Sequence, residues 1–183
     1  MNGNEALTKL MDGNRGYVEK GAWKGDVSKE IRLKTAAHGQ KPYAIIITCS
    51  DSRVIPEAIF QCGIGDLFVI RVAGNVIDSH QLGSIEYAAD HLDTKLILVL
   101  GHTHCGAVDA AIYHDPQGYI KYITDEISRA IGKEQDPYKA ACLNVEQSIS
   151  MIESSLSIQA DEAKGLQVLG AMYDIESGKV ALI

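Results

Sequence analysis

The chain has 183 residues, 46% of them hydrophobic and 22% charged, which fits one globular domain and excludes a disordered or collagen-like polymer. Its 24 acidic against 17 basic side chains give a net charge of -7, and there is no run of Lys or Arg. That balance offers no electrostatic footprint for nucleic acid or an anionic membrane.

The amino terminus, MNGNEALTKLMDGNRGYVEK, interrupts every apolar stretch with charge or glycine, so no export signal is expected. From about Asn4 to Lys20 the apolar residues Ala6, Leu7, Leu10, Met11, Tyr17 and Val18 fall at helical spacing. This predicts a helical arm over residues 1–35, ahead of a core over 36–183. Gly21 to Asp26 breaks the pattern, and a polar stretch leads to His38-Gly39-Gln40-Lys41-Pro42, where glycine and proline forbid a continuing helix. Tyr43 to Thr48 is a β-branched run that suits a strand buried on both faces. A short helix over Val54–Phe60 precedes a second strand over Leu67–Val72. After the Ala73-Gly74-Asn75 turn, Leu82, Ile85, Ala88, Ala89 and Leu92 mark one face of a helix. Lys95–Leu100 is a third strand punctuated by Gly101, and a helical stretch opens around Cys105. Helical patterns follow over Tyr119–Gly132 and Tyr138–Ser155, then β-like pieces over Gln167–Ile175 and Val180–Ile183. No apolar run approaches the roughly 20 residues of a membrane span. Strands alternating with helices predict a single α/β domain with a mostly parallel central sheet flanked by helices. A soluble, cytoplasmic protein is expected.

In such open sheets ligands sit beyond the carboxyl ends of the strands. Two polar clusters occupy those positions, Cys49-Ser50-Asp51-Ser52-Arg53 after the first strand and Gly101-His102-Thr103-His104-Cys105-Gly106 after the third. If these strands are neighbours, Cys49, His102 and Cys105 converge as two thiolates and an imidazole, a set that suits zinc. The spacing of His102 and Cys105 predicts that both lie on one face of a helical first turn. The plainer alternative makes the two cysteines small core residues and His102 a hydrogen-bonded loop residue. Cys62 and Cys142 have no His or Cys at ligand spacing and read as packing residues. Four scattered cysteines do not make a disulfide framework.

Taken together, the Cys-x-Asp-x-Arg and His-x-x-Cys motifs resemble those of the β-class carbonic anhydrases. The likeness continues through Asp66–Asn75, Ser84-Ile85-Glu86-Tyr87-Ala88 and Gly170–Asp174, and so covers nearly the whole chain. It implies a zinc-dependent enzyme that interconverts carbon dioxide and bicarbonate. Cys49, His102 and Cys105 would bind the zinc, with Asp51 and Arg53 as a dyad beside the remaining coordination position. A hydroxide on zinc still carries a proton, so a carboxylate that accepts it turns a lone pair toward the incoming carbon. Arg53, a planar fork of donors that stays charged, would hold Asp51 ionised and off the metal. Some members of the family instead rest with that aspartate on zinc, and the sequence does not choose between the two states. Two thiolates offset the charge of the ion, so the bound water should be acidified less than in an all-histidine site unless neighbours help, and activity should rise with pH.

The plant-type members of the family also match at Gln40, nine residues before Cys49, and at Phe68 and Tyr87, which would form the substrate pocket. Resemblance implies that this pocket is completed across a homodimer or a higher even-numbered homo-oligomer, with the arm wrapping the partner. His91 sits where a proton relay has been considered in similar sequences. Two other functions remain open at this stage. One is hydrolysis of carbonyl sulfide or carbon disulfide on the same scaffold. The other is a non-catalytic zinc or thiol-redox module, which would need a fourth ligand that only Asp51 can offer.

Overall fold

The computed structural model describes all residues, Met1–Ile183. Helix α1 (Gly3–Lys20) starts at a reciprocal cap in which Asn2 accepts from the Glu5 amide while the Glu5 side chain accepts from the Asn2 amide. It stops at Gly21, whose φ of 60° takes the left-handed turn that a residue without Cβ tolerates. Helix α2 (Lys29–His38) is capped by Ser28 and buries none of its residues.

The sheet has five strands in the order β2-β1-β3-β4-β5. Strands β1 (Ala44–Thr48) and β3 (Leu96–His102) are buried at every position, as the centre of a parallel sheet requires. They pair in parallel from Ile45 with Ile97 to Thr48 with Leu100. Strand β2 (Leu67–Arg71) pairs in parallel with β1 and forms one edge. On the other side β4 (Gln167–Tyr173) runs parallel to β3, and β5 (Val180–Leu182) returns antiparallel through the Ser177-Gly178 turn.

Alternation along the strands divides the core into two clusters. On one face Ile45, Ile47, Ile97, Val99 and Met172 meet α4 (Ser79–Glu86), α5 (Gly106–Tyr113), α6 (Ile120–Ile131), α7 (Pro137–Glu153) and α8 (Leu156–Glu162). On the other, Ala44, Ile46, Leu96, Leu98, Leu100 and Ala171 meet Ala6 and Leu10 of α1, with Ile59 of α3 (Pro56–Ile59) and Phe60. Gly13 lets α1 approach so closely that a Cβ there would lie 2.0 Å from the Phe60 carbonyl oxygen.

Several expectations change in detail. Residues 29–38, read as a polar stretch, are helical; with no buried face, α2 has no apolar period to betray it. Residues 156–162, for which the sequence carries no helical expectation, form α8, capped by Ser155. The helix beginning at Ser79 continues as a π-helical turn over Tyr87–His91. Gly101 does not end the third strand. It lies within β3, where a Cβ would come within 2.6 Å of Val145 and 2.7 Å of the Met172 sulfur. No helix is long and apolar enough to cross a membrane.

Candidate metal centre and active site

The adjacency of β1 and β3 delivers the two polar clusters to the same end of the sheet. Cys49 follows β1 directly, His102 is the last residue of β3, and Cys105 is the N-cap of α5. The expectation that His102 and Cys105 share a helical turn is therefore wrong. They are joined by a tight turn in which His104 has a φ of 56°, and the helix begins only at Gly106. The carbonyl of Tyr173 and the hydroxyl of Thr103 pin that turn, since Thr103 donates its amide to the first and the second accepts from the Ile175 amide.

One ligand atom each from Cys49, His102 and Cys105 lies within 4.8 Å of the others, and all three residues are buried. The cluster can hold a metal ion. The imidazole argues for it most directly: His102 Nδ1 lies 2.8 Å from the Thr103 carbonyl oxygen, which fixes the proton on that nitrogen. The lone pair is left on Nε2, which is buried without a hydrogen-bond partner. An orphaned imidazole nitrogen is costly unless something else satisfies it, and between two thiols a soft or borderline cation does so. The donor set therefore fits zinc.

The thiols are strongly coupled. The Cys49 thiol is pulled down by its contact with Cys105; burial opposes this, and the Gly74 amide adds to it. Cys105 is pushed up by that same contact and by burial, against the pull of the Val108 and Ala107 amides at the start of α5.

Asp51 and Arg53 form a bidentate pair, with Arg53 Nε 2.9 Å from Asp51 Oδ1 and Nη2 2.7 Å from Oδ2. The Arg53 amide also donates to Oδ1. Arg53 keeps the carboxyl well below the usual range, although partial burial opposes it. The same guanidinium reaches across to the His104 carbonyl at 3.0 Å and so ties the two motif loops together.

Arg71, the last residue of β2, was not singled out by sequence reasoning. Its Nε donates to the Cys49 carbonyl at 3.1 Å and its Nη2 to the Asp51 carbonyl at 2.7 Å, clamping the loop that carries both residues. Nothing in its own neighbourhood of sequence could have revealed that role, because the contact exists only where β1 and β2 pair.

Phe68 and Tyr87 lie together, ring centroids 6.3 Å apart, and His91 stacks on Tyr87 at 5.3 Å. The π-helical turn brings these last two rings into register. Gln40 is exposed beyond α2, and its side chain makes no hydrogen bond within the chain.

Comparison with known proteins agrees with this arrangement. The family model described as carbonic anhydrase matches residues 44–180. The chain is 37% identical over 189 residues to carbonic anhydrase 2 of Mycobacterium tuberculosis (strain ATCC 25618 / H37Rv), covering 97% of this chain and 91% of the relative. Its fold matches one of the tetrameric β-carbonic anhydrases of Sordaria macrospora with a TM-score of 0.78 at 26% identity, over 98% and 97% of the two chains. The chain belongs to the β-class carbonic anhydrase family. A second member of that class, CafA of Aspergillus fumigatus, matches with a TM-score of 0.79 at 27% identity, over 98% of this chain and 89% of the other. Among β-carbonic anhydrases the likeness thus spans the arm as well as the sheet.

Proposed function

We propose that the protein catalyses the reversible hydration of carbon dioxide to bicarbonate and a proton, with zinc held by Cys49, His102 and Cys105. The observation that carries this reading is the buried, unpartnered His102 Nε2 beside two thiols, next to a carboxylate whose oxygens are both engaged by Arg53. Three protein ligands are the number found in catalytic rather than structural zinc sites. Bound there, zinc would lower the pKa of a water toward ~7 and so supply a nucleophile near neutral pH.

The chain's own residues would do the rest. Asp51, kept ionised by Arg53, accepts a hydrogen bond from the attacking oxygen and fixes its direction. Arg53 keeps that carboxylate from swinging toward the ligands, and Arg71 holds the loop in place. Phe68 and Tyr87 present an apolar wall suited to a small uncharged gas, against which Gln40 can donate to a substrate oxygen. His91, stacked on Tyr87 and exposed, would pass the released proton to solvent. Zinc-loaded protein should hydrate carbon dioxide rapidly in stopped-flow measurements and do so faster as pH rises. Fast sulfide release from carbonyl sulfide with negligible carbon dioxide hydration would instead assign the scaffold's other chemistry.

The surface around β2 supports a homodimer or a higher even-numbered assembly. Strand β2 is an apolar edge with an open ladder of backbone groups, α2 has no fully buried residue, and Trp23, Val27 and Leu33 are exposed near it in sequence. A second copy covering this face would also give Gln40 a site to serve. Sedimentation velocity should return an even multiple of the chain mass, and a fully active monomer would refute the assembly.

A further inference from the structure

Ligation by two thiolates raises a difficulty for the proposed chemistry, because both donate charge and weaken the acidifying power of the ion. A buried network behind the site bears on this. The Gly74 amide points at the Cys49 sulfur, 3.2 Å away. Gly74 lies in the turn Ala73–Asn75 with φ 66° and ψ 18°, a left-handed conformation that L side chains rarely adopt. A Cβ there would also meet Ile127 at 2.7 Å and Ala107 at 3.1 Å.

The turn is held from the far side by two residues of α7 that lie one helical turn apart. Asn144 Nδ2 donates to the Gly74 carbonyl at 2.6 Å, and the Ser148 hydroxyl lies 2.9 Å from the Asn75 carbonyl oxygen. Asn75 Nδ2 in turn donates to Ser148 Oγ at 3.3 Å, and the Asn144 carbonyl lies within reach of the same hydroxyl. Asn75, Asn144 and Ser148 are all at least 97% buried. Polar groups that far from water are costly unless their bonds are made, and here the bonds fix the two peptide groups on either side of Asn75, the first of which adjoins the one that carries the Gly74 amide.

We propose that Asn144 and Ser148 are positioning residues for the metal centre, holding the Gly74 amide on the Cys49 sulfur so that the thiolate donates less charge to the metal. The inference rests on the reading of Cys49 as a zinc ligand. An N–H donor draws electron density from the sulfur it faces, leaving the cation more acidic, and outer contacts of this kind orient the ligand as well. Because the donor is a backbone group, only proline at position 74 would remove it, and proline cannot adopt the φ of 66° found there. The helix behind the turn is where the sequence can control it.

The test uses the full-length protein loaded with cobalt(II) in place of zinc, in the variants Asn144→Ala and Ser148→Ala, with Ile152→Val on the same helix as a packing control. Loss of the N–H contact raises the energy of the sulfur lone pair. The thiolate-to-cobalt charge-transfer band should therefore move to longer wavelength in both alanine variants. The pH midpoint of carbon dioxide hydration by the zinc forms should move upward, and zinc affinity should fall about 10-fold. Ile152→Val should lower stability and leave band and midpoint in place. Alanine variants whose band and midpoint coincide with those of the control would overturn the proposal, whatever their stability. If the wild-type protein binds neither cobalt nor zinc, the ligand reading fails, and this inference fails with it.

Discussion

Replacing His102 with alanine is expected to leave a folded protein that no longer retains metal and hydrates carbon dioxide no faster than buffer. The ring is 1% exposed, its Nδ1 is engaged by Thr103, and its Nε2 has no partner within the chain. Deleting it removes a lone pair that the apo protein leaves unsatisfied, so the cost to the apo fold is the cavity left behind and the donor lost by the Thr103 carbonyl. The cost to metal binding is a third of the ligand set. The diagnostic measurement is thermal unfolding with and without zinc. Wild type should gain about 4 kcal/mol when zinc exceeds its Kd a thousandfold, and the variant should gain nothing. Retention of one zinc per chain by the variant in elemental analysis would sink the assignment of the centre.

Asp51→Asn should keep its zinc and lose activity by about 10²- to 10³-fold, the scale seen when one oriented polar contact to a reacting oxygen is removed. Asparagine preserves the size of the side chain but is no longer an anion, and it presents an NH₂ donor where the reacting oxygen needs an acceptor. The guanidinium of Arg53 would lose its bidentate, charged partner and keep one acceptor oxygen on residue 51 beside the His104 carbonyl. The pH dependence separates this from a loss of folding. Arg53 keeps the Asp51 carboxyl below the usual range, so the pair's stabilisation is fully present at neutral pH. It is lost only as pH falls through that lowered native value. The deficit of Asp51→Asn should therefore persist unchanged through neutral and alkaline pH. Undiminished turnover would remove the orienting role.

The two predictions draw on different levels of information. That Cys49, His102 and Cys105 belong together was legible because each follows an apolar run of strand length, and open parallel sheets gather their chemistry at the carboxyl ends of strands. The pattern was sufficient even though one local inference failed. His102 and Cys105 meet through the left-handed backbone of His104 and not on a helical turn, and a histidine in that conformation carries no mark in its neighbours. The two missed helices share a similar cause. Helix α2 turns no apolar stripe toward this chain, and α8 is too short for a period to show, so tertiary docking decides both.

By itself, then, the order of residues determined the sheet's buried strands, the side of the sheet where the chemistry lies, and the types of atom gathered there. These follow from short-range rules: β-branched runs, turn residues, and the affinity of sulfur and imidazole for a borderline cation. What only the tertiary structure decided are the outer contacts. Arg71 clamps a loop that precedes it by a strand crossing, Arg53 binds across to the His104 carbonyl, and Asn144 and Ser148 brace a turn that lies before them in the chain by three helices and a strand. The physical reason is that such contacts involve backbone carbonyls and amides, which every residue possesses. No pattern of side chains announces which of them folding will bring face to face.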